Sequence, residues 1–333
     1  MKTIKIILLV VIGIILAFAA YLFLGRVSTP KRIIWGVNFS QKHSQNLGLD
    51  WRETYLALID ELKVKNIKIA VHWDVFEPEE NRYNLADLDW QIKTAEEKGI
   101  KVTLVIGMKT SRWPECHIPN WAVNRNKFGQ QERITAMIET IVSRYKDSPT
   151  IKYWQIENEP LFNFGQCPWM DRDFLKKEIV LVKSIDPSHP ILITDTGEWS
   201  FWIKAAMLGD IVGTTMYRKV WFEKASSYLN YSFPPVFYGR KAFLIKNFFR
   251  KKVICSELQA EPWGPKLLYD VPIEEQKKTM NLDQFRSNIR YAEQSGLDEF
   301  YLWGGEWWFW LKQKGYPEIW EEAKKLFLSG KLE

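Results

Sequence analysis

The chain has 333 residues, 46% hydrophobic and 26% charged, so it carries enough apolar surface to fold and falls outside the disordered and low-complexity classes. Its net charge of +6 comes from Lys and Arg spread along the chain, which argues for solvated faces and against a nucleic-acid partner. Three Cys exclude a disulfide framework as the source of the fold.

The first segment is of membrane type. Lys2 and Lys5 precede an apolar run over 6–24, long enough to cross a hydrocarbon core. The expected order is a short cytoplasmic segment at 1–5, a transmembrane signal anchor at 6–24, a juxtamembrane linker at 25–31 and one folded domain at 32–333. Positive charge ahead of the run keeps the amino terminus inside and delivers the domain outside, although Arg26, Lys31 and Arg32 weaken the asymmetry. Ala17-Phe18-Ala19 also fits a signal peptidase site, and cleavage near Ala19 would release a secreted protein. Continuation of the apolar run through Tyr21 to Leu24 favours the uncleaved, single-pass anchor.

From residue 32 onward strand and helix patterns alternate. Strands are expected at 32–37, 67–71 and 102–106, and helices at 51–63, 85–98 and 132–145. An apolar run from Ile151 then ends in Asn158-Glu159-Pro160, followed by a helix at 172–185. Beyond it come strands at 190–194 and 211–216 with a short helix at 199–207 between them. The stretch 217–250 is the longest irregular one, relieved by a helix at 240–249. Strands at 253–256 and 299–303 and helices at 283–295 and 318–327 complete the series. No Gly/Ser-rich or Pro-rich linker interrupts it, so the fold class is α/β, a single (β/α)8 TIM barrel preceded by one N-terminal transmembrane helix.

In such a barrel the carboxyl ends of the strands build the site. Pro160 removes the next ladder donor and leaves Glu159 at the rim of a buried strand, shielded from water as a general acid requires. Lys252 to Ser256 forms another apolar strand and delivers Glu257. Seventeen Trp are many for this length, and aromatic faces pack against the C–H faces of sugar rings. Trp113, Trp121, Trp169, Trp199, Trp202, Trp263, Trp307 and Trp308 fall in post-strand segments, enough to line a cleft, while about half of all the Trp are assigned to the core. Cys116 and Cys167 lie in loops on one face of the expected barrel, where an extracellular location would allow them to pair, although sequence supplies no distance. Cys255 reads as a small buried hydrophobe.

Asn158-Glu159-Pro160, in register with Glu257 and with the aromatic eighth strand, resembles the clan of retaining glycoside hydrolases built on the (β/α)8 barrel, of the cellulase or family 5 type, over residues 33–328. The resemblance implies Glu159 as acid/base and Glu257 as nucleophile, about 5–5.5 Å apart as retention demands. It implies Asn158 on the hydroxyl beside the reacting carbon, Tyr217 donating to the nucleophile, and Trp303 as the floor under the sugar. His72, Trp73 and Trp263 are further candidates for substrate contact. Many clan members buttress the nucleophile with an Arg from the second strand; the nearest residue here is Lys68, which either substitutes for it or faces the helices. Glu261 is the alternative nucleophile, and Glu257 is preferred because it directly follows the expected strand end. Glu157 and Glu306 are read as subsite or structural groups. The implied substrate is a β-linked oligo- or polysaccharide, handled by a monomer without metal or cofactor; a silent carbohydrate-binding barrel and a transglycosylase are the alternatives.

Overall fold

The apolar strand segments close on themselves because each is buried on both faces, between a filled interior and a mantle of helices. The computed structural model describes residues 2–331, so Met1 of the expected cytoplasmic segment and residues 332–333 of the expected domain lie outside the described residues. The chain begins with α1 (Lys2–Phe23), β1 (Ile34–Phe39), α2 (Gln41–Asn46), α3 (Trp51–Asp60), β2 (Asn66–Ala70), α4 (Trp73–Phe76), α5 (Leu85–Glu97) and β3 (Lys101–Ile106). It continues through α6 (Lys127–Tyr145), β4 (Ile151–Ile156), α7 (Arg172–Ile185), β5 (Ile191–Asp195), α8 (Ile203–Leu208) and β6 (Ile211–Met216). After these come β7 (Lys219–Phe222), β8 (Ser227–Asn230), α9 (Pro235–Phe249), β9 (Lys252–Gln259) and α10 (Ile273–Gln276). It closes with α11 (Leu282–Glu293), β10 (Glu299–Trp303), α12 (Gly305–Gln313) and α13 (Glu318–Ser329).

Eight parallel strands close in the order β1-β10-β9-β6-β5-β4-β3-β2, as the alternation predicts. Tyr153, Leu192, Ile211, Ile254 and Tyr301 form a buried cluster of their own inside the barrel, separate from the larger cluster between sheet and helices. Helix starts follow local chemistry: Asp50, Asn126 and Asp171 cap α3, α6 and α7 through side-chain oxygens that accept backbone N–H bonds.

Two expectations require correction. The stretch 217–250 is not irregular: β7 and β8 pair as an antiparallel ribbon, and α9 starts at Pro235, five residues before the expected helix, because a proline at the first position is preorganised for it. The seventh barrel strand runs on to Gln259, and the register against β6 shifts between Thr214 and Thr215, so Thr214 faces Cys255 while Thr215 faces Glu257. Glu257 therefore sits inside the strand at a bulge, which re-aims side chains, rather than beyond the strand end.

Thr3–Phe23 is the one helix among the described residues long and apolar enough to cross a membrane. Its last turns pack on the barrel: Leu22 is buried, and Phe23 stacks on Phe237 at 5.1 Å and on Phe233 at 6.0 Å.

Candidate active site

Strand β4 is followed by two residues with left-handed φ, Glu157 at 57° and Glu159 at 43°, conformations that L-residues hold only when their surroundings compel it. The compulsion is visible. The Glu157 carboxylate accepts from the Met108 and Lys109 amides at 2.9 and 2.5 Å, and the Glu159 amide donates to Thr194 Oγ1 at 2.8 Å. Gly107, at φ 121°, leaves room for the Glu157 carboxylate, whose Oε1 would lie 2.6 Å from any Cβ there. Glu157 is thus a structural group tying β3 to β4, while Glu159 and Asn158 are delivered to the mouth.

Glu159 and Glu257 are both buried at the carboxyl end of the barrel. Burial, and then the charge of Glu257, hold the Glu159 carboxyl well above the usual carboxylate range. Glu257 accepts three bonds, from Lys68 Nζ at 3.1 Å, Ser111 Oγ at 3.2 Å and the Tyr217 hydroxyl at 2.9 Å. Three donors thus fix the position of this one buried carboxylate. Lys68 faces the interior and occupies the buttress position, as one of the two sequence readings had it. Burial, and then Glu257, push the Tyr217 hydroxyl up, so it stays a donor.

Glu261, the alternative nucleophile, is committed elsewhere. It pairs with Arg112, and its second oxygen is 3.7 Å from His43 Nε2. Burial would raise its pKa, but Arg112 and His43 outweigh that and bring it to about 2. Arg112 also donates to Glu306 Oε2 at 3.0 Å, while Glu306 accepts from the Ser40 amide at 2.6 Å. Glu306 is therefore structural.

The aromatic expectations divide. Trp303 stands at the end of β10, and the Arg112 guanidinium lies 3.9 Å from its ring centroid, so one face is covered by the chain itself. Trp263 is half-buried beside Tyr217, centroids 5.1 Å apart, and continues through Phe164 at 5.8 Å to Trp113 at 6.2 Å, an aromatic arc around the mouth. Trp73 corrects the sequence reading: it is wholly buried and its indole donates to Glu77, so no substrate reaches it. Trp202, Trp307 and Trp308 are likewise core residues rather than cleft lining. Their post-strand segments turn into α4, α8 and α12, whose apolar faces pack inward. His72 is buried with one ring nitrogen 2.8 Å from Ser40 Oγ and the other 2.9 Å from Thr110 Oγ1; burial and the neighbouring His117 push its pKa well down. Neutral His72 buttresses the rim from below.

Sequence reasoning missed the loop between β3 and α6. Ser111 touches Glu257, Arg112 covers Trp303, and Glu115 Oε2 accepts from Asn158 Nδ2 at 3.1 Å. Burial pushes the Glu115 carboxyl up to about 8. The loop is fastened by a disulfide from Cys116 to Cys167, with Cα atoms 5.2 Å apart, which resolves the open question of their pairing. Its length, Trp113, Trp121 and Cys116 were the sequence signals, and none of them pointed to Ser111, Arg112 or Glu115. Cys255 is fully buried, as expected.

The family model for cellulase, glycosyl hydrolase family 5, matches residues 36–307. The chain is similar to mannan endo-1,4-beta-mannosidase F of Aspergillus clavatus, 29% identical over 126 residues that cover 34% of this chain and 27% of that protein. It is also similar to endo-1,4-beta-xylanase B of Thermotoga neapolitana, 21% identical over 214 residues, 59% of this chain and 56% of the xylanase. The chain thus spans about a quarter of the mannosidase and just over half of the xylanase. A β-galactosidase from Rahnella sp. R3 superposes with a TM-score of 0.62 at 13% identity, over 92% of this chain and 57% of that one. A GH5_18 protein of Bifidobacterium longum gives 0.57 at 17%, over 82% and 70%. At such identities the structural likeness is one of fold. The family match runs from β1 into α12 and takes in both β4 and β9, and on that ground the chain belongs to glycosyl hydrolase family 5.

Proposed function

We propose that the chain is a membrane-anchored retaining glycosidase that cleaves β-linked oligo- or polysaccharide outside the cytoplasmic membrane. The observation that carries the reading is the unequal pair of buried carboxyls: Glu159, whose pKa burial and the neighbouring Glu257 hold well above the usual range, and Glu257, on which Lys68, Ser111 and Tyr217 converge as donors. Two neighbouring acids in such unlike surroundings can divide the labour of double displacement. Glu159 gives its proton to the leaving oxygen while Glu257 attacks the anomeric carbon. Once Glu257 is esterified its charge is gone, the Glu159 pKa falls, and Glu159 takes a proton from the incoming water. Asn158 binds the neighbouring hydroxyl, and the aromatic arc of Trp263 and Trp113 offers further sugar positions. The β linkage is supported by the mannosidase and xylanase among its relatives.

Anchoring is supported by α1, whose last turns pack on the barrel. Mass spectrometry of the membrane-extracted chain tests it: an intact Lys2–Phe23 segment is expected, and a chain starting after Ala19 would make the protein secreted.

The mechanistic test uses the full chain and a panel of activated 2-deoxy-2-fluoro glycosides, followed by intact mass and peptide mapping. A stable adduct on Glu257, absent in Glu257→Gln, is expected. Adduct on Glu261 would move the nucleophile, and glycan binding without any adduct would leave a binding protein.

A further inference from the structure

The end of α1 meets the barrel at its catalytic rim. Phe23 stacks on Phe233 and Phe237 in the connection from β6 to α9 and the first turn of that helix, and Phe18 lies 6.2 Å from Phe201 in the loop that follows β5. Segments that follow strand ends belong to the same rim as Glu159 and Glu257. Residues 18–23 of the apolar helix are therefore engaged by the domain. If the bilayer stopped short of Phe18, about fifteen residues, roughly 22 Å of helix, would be left for a hydrocarbon core of about 30 Å. The span is long enough only if the rim beside Phe18 enters the outer layer of the membrane as well.

That rim is built for such a place. Phe201, beside Phe18, and the loop and helices that adjoin it expose large apolar side chains: Trp199 65%, Phe201 49%, Ile203 50%, Met207 71% and Phe243 55%. Isolated exposed apolar residues need no explanation, but five on one loop and two adjoining helices, in continuity with an apolar span, do. Lys204 and Lys246 flank them, exposed, and among the described residues no carboxylate pairs with either. Arg240 lies 4.7 Å from the Tyr21 ring.

Resting on the anchored reading above, we propose that the segment from Trp199 to Met207, with the outer face of α9, docks in the headgroup layer of the bilayer that α1 crosses. Trp199, Phe201, Ile203 and Met207 enter the apolar boundary, and Lys204 and Lys246 take anionic phospholipid headgroups. The catalytic mouth then opens beside the membrane surface, and the saccharide it receives is one held close to that surface.

The test reconstitutes the full chain in vesicles of phosphatidylcholine and phosphatidylglycerol. A nitroxide is attached in turn to Ile203→Cys, Met207→Cys and Phe243→Cys, with Leu328→Cys at the far end of the barrel as control. The native thiols do not compete, since Cys255 is buried and Cys116 and Cys167 are bonded. Accessibility to a water-soluble relaxant is expected to fall roughly tenfold at the first three sites relative to the control, with less protection when phosphatidylglycerol is omitted. If the chain floats with the vesicles while all labels stay as wet as the control, docking is overturned and the anchor stands. If the chain does not float, the anchor itself fails and docking falls with it. Protection that ignores phosphatidylglycerol overturns the role given to the two lysines.

Discussion

Lys68 has little freedom to be anything but a partner of Glu257: both side chains are almost wholly buried and 3.1 Å apart. Replacing one member of such a pair strands the other charge in low dielectric, which costs about 3–5 kcal/mol. Lys68→Met is therefore expected to lower Tm and to slow formation of the glycosyl-enzyme about 10²-fold or more, measured as the rate of 2-fluoro adduct formation. Glu115 makes a prediction of opposite sign for stability. Its carboxyl is raised from 4.5 to about 8 by burial, so the folded chain binds a proton that the unfolded chain has lost at neutral pH. Its contribution to stability is complete below the ordinary carboxylate pKa and drains away as pH rises toward 8. Glu115→Gln keeps an acceptor for Asn158 and removes the titration. Its Tm is expected to match the native chain in acid and exceed it at mildly alkaline pH, by on the order of 5 kcal/mol in stability. Equal Tm profiles across that range would mean that Glu115 titrates normally.

At the scale of elements, close backbone approach sets what the site can tolerate. Gly197, just past β5, has no room for a side chain, because a Cβ there would lie 1.9 Å from the Thr215 carbonyl oxygen on β6. Gly197→Ala is expected to push β5 and β6 apart, lowering stability by about 1–3 kcal/mol in chemical denaturation and displacing Thr215 from Glu159. The loop between β3 and α6 is held in a similar way. Gly165, at φ 91°, would bring a Cβ within 2.5 Å of Glu115 Cβ, and the disulfide fixes the next residue. Cys116→Ser with Cys167→Ser is expected to free Ser111, Arg112 and Glu115 together, seen as faster amide exchange in this loop and a changed KM, with the barrel strands unaffected.

Across the whole molecule, stability and chemistry occupy opposite ends of the barrel. Glu299 opens β10 at the amino-terminal end, buried, and receives Lys152 at 2.7 Å, Lys252 at 2.9 Å and the Tyr301 hydroxyl at 3.1 Å. Glu299→Ala is expected to cost about 2–3 kcal/mol, at or below the foot of the buried-pair range because Lys252 reaches solvent, while kcat stays unchanged. A matched loss of kcat would show that the two ends are coupled. The apolar helix adds a third region, bound to the catalytic rim through Phe18 and Phe23.

The sequence by itself determined the alternation of strands and helices and the closed barrel they imply, and it singled out the two residues to which the proposed chemistry is assigned. Those signals are local: an apolar strand, Pro160 ending one of them, and a carboxylate just past β4 or within β9 can each be read within ten residues. It left open whether Lys68 faced inward and whether two cysteines met, and it misassigned Trp73, Trp202, Trp307 and Trp308 to the cleft. Only the tertiary structure decided these, because which face a side chain presents depends on the neighbours packed against its element. The same holds for Glu115 and Arg112. Arg112 meets Glu261 across 149 positions of sequence, and no local pattern records a contact that exists only after the barrel has closed.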